Sequence, residues 1–589
     1  MDEKLKKIRH SSSHVLAQAV LELFPDAKLA IGPAIEDGFY YDIDLGSKTF
    51  AQTDLAKIEK KMRHIIKQNQ KFEQSEMTID EALKFLKSIK QPYKVELVND
   101  FKKRGDKKVG FNKMIAIDGK EKYIDLCAGN HAKSTKEIGA IKLLKVAGAY
   151  WKGDEKNKML QRIYGVAFNN EAELKNHLEQ LKKAEENDHR KLGQELDLFT
   201  FSELVGGGLP MFTPRGTIIR NALDQYLIDL QEPKGFQRVW IPHLAKKELY
   251  QVSGHWDKFS DDIFHVSSKG EEAFVLKPMN CPHHTQIYAS RQRSYRELPL
   301  RYFEITSMYR DEKAGQLHGL TRVRSITIDD AHVFCRPDQI EEEANLIYDI
   351  IEQFYQVVGM EIIPRLSLSD PKQPDKYIGE PKVWKEAEAK LRSILKKRVK
   401  TFEEIEGEAA FYGPKIDFEA KDAIGRKWQL ATIQLDFNMP NRFKLEYTDE
   451  SGDRVRPVLI HRAIAGSFER FMAILIEHYG GAFPLWLAPV QVQIVPVSEG
   501  FIKDANKLAD ELKEHGIRVW VDDLDETVGN KIRKAEKQKI RYMLVIGEKE
   551  VKSKDLNVRI RGQKEVEVID RQKFISKILK EIKDKKNLS

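Results

Sequence analysis

Residues 301–334 read RYFEITSMYRDEKAGQLHGLTRVRSITIDDAHVF. Apolar and polar residues alternate from Tyr302 to Tyr309 and again beyond a polar loop that contains Gly315 and Gly319. A period of two is that of a half-buried strand, so the stretch predicts strand, loop and return strand in an antiparallel sheet. Arg310, Glu312, His318, Arg322 and Arg324 are concentrated in it. Planar guanidinium forks pair with phosphate oxygens, and several arginines directed one way suit a triphosphate. A salt-bridged surface hairpin has the same composition.

Outward from this hairpin, the chain up to about residue 485 carries further short alternating runs broken by polar insertions, which predicts an antiparallel sheet with inserted helices. The run HRAIAGSFERFMAILIEHYGG, 461–481, predicts a helix with Ile464, Phe468, Phe471 and Leu475 on one face and a stop at Gly480 and Gly481. Arg470 falls about 120° from that stripe, facing a ligand or plain solvent. Cys281 in KPMNCPHH, His332 in DDAHVF and His461 in VLIHRA are donors that zinc accepts. Their separations follow no zinc-finger spacing and leave convergence open.

The flanks differ in character. From Arg9 to about Phe168 the pattern is mixed α+β, opening on a helix that sets His10 and His14 on one face. Cys127 and His131 in DLCAGNHAKST repeat that spacing, and the two pairs together suit a metal or a positioned water. Residues 170–195 predict one helix, with Leu174, Leu178 and Leu181 on a face and Asn170 and Glu173 as a capping box. Past Pro484 and Pro489 come strand (Val490 to Val495), helix (Phe501 to His515), strand (Gly516 to Val521), helix (Asn530 to Gln538) and strand (Tyr542 to Ile546), a separate α/β domain with parallel strands. The basic stretch from Lys531 to Lys539 suits an RNA backbone or a solvated face.

At 589 residues the chain exceeds the roughly 250 to 300 that one core supports, so about three or four domains are expected. With 41% hydrophobic and 32% charged residues it is a globular chain rather than a disordered one, and a net charge of +8 does not separate a polyanion binder from an ordinary surface. The charged start MDEKLKKIRHSSSH and the lack of any apolar run of about 18 residues predict a cytoplasmic protein without a membrane span. Three scattered cysteines argue for reduced thiols over a disulfide framework.

Taken together these motifs resemble the class II aminoacyl-tRNA synthetases, and among them the bacterial-type threonyl-tRNA synthetases. HSSSHVLAQAV, AIGPAIEDGFYYD, YIDLCAGNH and GAYWKGDEKNKMLQRIYG resemble the editing domain shared by threonyl and alanyl enzymes. That resemblance implies hydrolysis of seryl-tRNA at His10, His14, Cys127, His131 and Asp125, without a metal. Pro242 in GFQRVWIPHL is similar to motif 1, which implies a homodimer; Arg310 and Glu312 are similar to motif 2 and Arg470 to motif 3. The family's use of these positions implies ATP with Mg2+, Arg310 on the α-phosphate, Glu312 on the adenine amino group, and Arg322 and Arg470 on the remaining phosphates. KPMNCP, DDAH and HRA imply one zinc ion per subunit on Cys281, His332 and His461. Asp330, Tyr412 and Gln434 match threonine-binding positions, with Gln429, Thr432 and Lys415 nearby, and tRNA(Thr) is the implied acceptor. Glu550 and Arg559 match anticodon-reading positions. The chain departs from the family at Ile326, where phenylalanine usually stacks on adenine, at Ile328 for glutamine, at Lys313 for proline and at Asp525 for asparagine. The small ubiquitin-like domain that usually comes first is expected to be absent, since the motifs begin at His10. The expected architecture is α+β and multidomain: an editing domain (1–169), a linker helix (170–195), a class II catalytic core on an antiparallel sheet (196–487) and an α/β anticodon-binding domain (488–589).

Overall fold

A computed structural model describes residues 3–36, 38–270 and 272–586. They form two compact units, 1–182 and 183–589. In the first, the long opening helix Glu3–Leu23 packs on an antiparallel sheet in which Gly38–Asp44, Met159–Phe168 and Ala140–Tyr150 are successive neighbours. A second antiparallel sheet joins Lys71–Thr78, Lys108–Ile115 and Glu121–Leu126. Val15, Leu16, Ala19 and Val20 of the helix are fully buried against Phe39, Tyr41 and Ile163.

The centre of the second unit is an eight-stranded sheet in the order Gln237–Arg238, Leu300–Tyr309, Ser325–Cys335, Val458–Ala463, Lys427–Asp436, Lys415–Lys421, Glu361–Leu368 and Glu403–Glu406. All neighbours are antiparallel except at the two edges, where Gln237–Arg238 and Glu403–Glu406 pair in parallel. The opening hairpin is as its alternation predicts, with Tyr302 opposite His332 and Met308 opposite Ile326. One face carries Ala331, Val333, Ile460, Ile433 and Ile416, buried with residues of the helices Ile340–Val358 and Phe468–Tyr479. The other face carries Glu304, Thr306, Asp330, His332, His461, Thr432 and Gln434 in register. An irregularity between Phe418 and Glu419 pairs Ala431 with Phe418 but Gln429 with Glu419, leaving Leu430 as an extra residue.

Several sequence expectations are corrected. The helix expected from 461 starts at Phe468, because His461 and Arg462 belong to the strand Val458–Ala463. The buried Asp329 carboxylate holds the turn between them, accepting from Ile464 N–H at 2.8 Å and Ala465 N–H at 3.2 Å, and Ser467 caps the helix. The single helix expected over 170–195 is two, Glu171–Glu186 and His189–Glu195, and Asp188 caps the second by accepting from the Arg190 N–H. The cap at Asn170 is present, with Glu173 N–H 2.9 Å from its side-chain oxygen.

The C-terminal sheet has its own core and the three parallel strands expected, Val519–Val521, Val492–Pro496 and Tyr542–Ile546. It is extended by two antiparallel strands, Asp555–Ile560 and Val566–Asp570, that the sequence reading did not separate from loop. Lys531 is not on a solvated basic face: it is buried, and its ammonium donates to Asp522 O at 2.9 Å. No helix among the described residues is long and apolar enough to cross a membrane.

Candidate functional site

Cys281 opens the helix Cys281–Ala289, while His332 and His461 face each other on neighbouring strands. Their three donor atoms lie within 4.8 Å of one another, and all three residues are buried. His332 Nε2 and His461 Nδ1 are 3.1 Å apart. Each ring is fixed from behind: His461 Nε2 lies 3.0 Å from the buried Asp436 carboxylate and His332 Nδ1 2.8 Å from His284 Nδ1. Supported imidazoles beside a thiol form a donor set that could hold a zinc ion. Burial raises the Cys281 thiol well above its usual range and holds His332 well below its own, so the pocket favours neutral groups until a cation enters. His284 and Asp436 went unnoticed in the sequence; His284 adjoins the KPMNCP motif, whereas nothing local marks Asp436.

Beside this trio, the Tyr412 ring lies 4.8 Å from that of His461, and its hydroxyl donates to Gln434 Oε1 at 2.5 Å. Gln434 donates to Thr432 Oγ1 at 3.2 Å, and Asn280 donates to Asp330 Oδ2 at 3.1 Å. Lys415 is on the same face but ion-paired to Asp417 at 2.8 Å. Gln429, which the extra residue restores to that face, accepts from Arg365 at 2.8 Å.

Farther along the hairpin, Met308, Arg310, Glu312, Arg322, Ile326, Ile328 and Arg470 line a cavity of about 380 Å3. Arg322 Nε donates to Glu312 Oε2 at 2.8 Å, and Arg324 Nε donates to the Glu312 carbonyl at 3.0 Å, so the loop braces itself. Burial and the nearby charge of Arg322 both oppose the charge on Arg470, a conflict that a bound polyanion relieves. The Arg310 guanidinium donates to Met279 Sδ at 3.2 Å, and its charge is felt at Cys281 and Tyr412, so cavity and trio adjoin.

The first unit holds a second site. His10, His14, Cys127 and His131 bring their donor atoms within 4.8 Å of one another. Cys127 Sγ lies 3.5 Å from His10 Nε2 and 3.4 Å from His131 Nε2. Asp125 lies 3.3 Å from His14 Nδ1 and accepts from Lys94 at 2.7 Å and from Tyr41 at 2.5 Å. Lys94 and Tyr41 come from distant segments and carry no local sequence signal. Burial lowers His10, takes His14 to about 3 and His131 to about 2, and raises Cys127 to about 11. The imidazoles are therefore neutral bases at pH 7 and the thiol stays protonated. His10, His14, Lys94, Phe101, Arg104 and Cys127 are among the residues around a cavity of about 530 Å3.

In the C-terminal sheet Arg559 and Asn557 share a face, and Asn557 donates to Glu550 Oε1 at 2.5 Å. The other Glu550 oxygen accepts from Gly547 N–H at 3.0 Å, so both are already bonded within this part of the chain. Asp525 is exposed.

Residues 264–479 match the class II core domain of tRNA synthetases (G, H, P, S and T), residues 491–581 an anticodon binding domain, and residues 114–164 the second additional domain of threonyl and alanyl tRNA synthetases. The chain is 45% identical over 586 residues to a threonine–tRNA ligase of Halalkalibacterium halodurans, covering 99% of this chain and 90% of that one. It is 48% identical over 557 residues to that of Cytophaga hutchinsonii, covering 94% and 85%. Among solved structures, the RNA binding domain of a threonyl-tRNA synthetase from Cryptosporidium parvum superposes with a TM-score of 0.64 at 37% identity, over 67% of this chain and 98% of that one. Identity at this level over almost the whole chain, together with three matching domains and the sites they contain, establishes that the chain belongs to the threonine–tRNA ligases, class II aminoacyl-tRNA synthetases.

Proposed function

We propose that the polar face of the central sheet activates threonine with ATP and passes it to tRNA(Thr), and that the His10 site hydrolyses seryl-tRNA formed in error. The observation that carries the first part is the buried Cys281, His332 and His461 trio adjoining both Tyr412 and Gln434 and the arginine-lined cavity. ATP, with Mg2+ as its counter-ion, occupies that cavity. Arg310 lies on the α-phosphate, Arg322 and Arg470 gather the other phosphates, Glu312 meets the adenine amino group, and Ile326 and Ile328 pack on the base. The threonine carboxylate attacks the α-phosphorus and pyrophosphate leaves; fixed guanidinium charges stabilise the charge that develops. The terminal ribose hydroxyl of the tRNA then takes the acyl group.

The donor set fits zinc, with Asp436 and His284 orienting the rings. Bound there, zinc supplies Lewis-acid capture of the amino and hydroxyl groups of threonine. Asp330, Tyr412 and Gln434 complete the amino-acid pocket, with Thr432, Gln429 and Lys415 around it. A site built for a hydroxyl rejects valine by roughly 10⁴ to 10⁵, but one missing methyl on serine is worth only about 10 to 200-fold. That shortfall is the reason for a second, hydrolytic site. There Asp125 orients His14, and the neutral imidazoles of His10 and His131 accept hydrogen bonds from the water and position it against the ester.

The domain limits 1–169, 170–195, 196–487 and 488–589 accord with the matched segments, Glu550 and Arg559 are assigned to the anticodon, and the 78% exposed Trp240 beside Pro242 accords with a homodimer. The test is threonine-dependent exchange of pyrophosphate into ATP, with metal analysis of the same sample. Exchange and one zinc per chain are expected; no exchange by zinc-loaded protein that still binds tRNA(Thr) refutes the reading.

A further inference from the structure

One buried cluster stands outside the chemistry above. Asp188, His189 and Glu477 bring donor atoms within 4.8 Å of one another. Both ring nitrogens of His189 are nevertheless committed, which excludes a cation site. Nδ1 lies 2.6 Å from Glu477 Oε1, and Nε2 lies 3.1 Å from the backbone nitrogen of Leu320. A backbone N–H only donates, so Nε2 is the acceptor and Nδ1 carries the proton that it donates to Glu477. One tautomer is thereby fixed by its two partners.

The partners explain what the ring joins. Glu477 lies in the last turns of the helix Phe468–Tyr479 that bears Arg470; it also accepts from His189 N–H at 3.1 Å and is ion-paired to Arg426. Leu320 is fully buried at the end of the loop that bears Arg310 and Glu312, two residues before Arg322. Gly319 has a φ of +48°, and a Cβ there would lie 2.2 Å from His189 Nε2, so the loop backbone is closed down on the ring. A single imidazole thus ties together the two elements whose arginines line the 380 Å3 cavity.

We propose that His189 is a positioning residue for the ATP cavity, holding the 310–324 loop at a set distance from the Arg470 helix. The proposal rests on the reading of that cavity as the ATP site. His189→Asn keeps a nitrogen for Glu477 but has no acceptor within reach of Leu320, whereas the longer His189→Gln can present an oxygen to the Leu320 N–H. In threonine-dependent pyrophosphate exchange, His189→Asn should raise KM for ATP about tenfold, the factor that an unsatisfied buried N–H corresponds to, with KM for threonine unchanged. His189→Gln should recover most of that loss, and deuterium uptake across 314–324 should be faster in His189→Asn than in His189→Gln or the parent. An unchanged KM for ATP in His189→Asn, or an equal rise for both substrates, overturns the proposal. If the parent does not exchange at all, the ATP reading falls, and the His189 tie is judged by uptake alone: no acceleration in His189→Asn overturns it.

Discussion

Cys127 has the residue type of a nucleophile and the surroundings of a bystander. Burial raises its thiol to about 11, so at pH 7.5 the thiolate fraction is some two orders of magnitude below that of a free cysteine. Alkylation of Cys127 by iodoacetamide should be slowed by about that factor and still accelerate beyond pH 9; a rate that levels off near pH 8 would show an activated thiol. The neighbouring histidines make the unit acid-sensitive. The unfolded chain takes up protons on these imidazoles below about pH 6.5, whereas folded His14 and His131 resist until about 3 and 2, so stability is full above 6.5 and falls on acidification. Each costs about 1.4 kcal/mol per pH unit, or about 2 kcal/mol by pH 5. Hydrogen exchange in the helix Glu3–Leu23, corrected for intrinsic rates, should therefore speed up between pH 7.5 and 5, and less so in His14→Gln. The sequence displays His10, His14, Cys127 and His131 through their matched spacing, but Lys94 and Tyr41 meet Asp125 only in three dimensions.

At the scale of elements, strand alternation was the most legible signal, because a period of two shows directly in the sequence. The helix start was not. The apolar positions that recur between 458 and 476 do not reveal that Asp329, more than a hundred residues earlier, turns the chain at Ile464 and Ala465. The same carboxylate pairs with Arg462 at 2.8 Å, both side chains being fully buried. Asp329→Asn leaves that guanidinium without a counter-charge and should cost the second unit roughly 3 to 5 kcal/mol in urea unfolding. A loss below about 1 kcal/mol would mean that the turn is held by other contacts. Lys531 illustrates the converse: in sequence the basic stretch suits an RNA backbone or a solvated face, while one of its lysines closes a buried carbonyl pair.

Across the whole molecule, the two chemistries lie in separate compact units, 1–182 and 183–589, and should be separable in experiment. His10→Ala should leave threonine-dependent pyrophosphate exchange intact while seryl-tRNA accumulates; equal seryl-tRNA in variant and parent would remove His10 from editing. Stripping the metal with a chelator should abolish threonine activation while deacylation of preformed seryl-tRNA continues, and loss of both together would refute a metal-free editing site. Composition disclosed a multidomain globular chain, and the motifs named the candidate residues. Convergence of Cys281, His332 and His461 was not legible, because their spacing reflects the connections between strands and helix rather than a local loop. The extra residue at Leu430 bears on this too. In an unbroken strand Gln429 and Gln434 differ by an odd number of positions and would face opposite ways; the bulge acts as a phase correction that turns Gln429 toward the polar face of the sheet while Leu430 packs into the core. Deleting Leu430 would leave Ala431 opposite Phe418 and Gln429 opposite Glu419, so the facing of Gln429 would survive without the bulge, whereas straightening the strand with Leu430 kept in it would turn Gln429 to the other side.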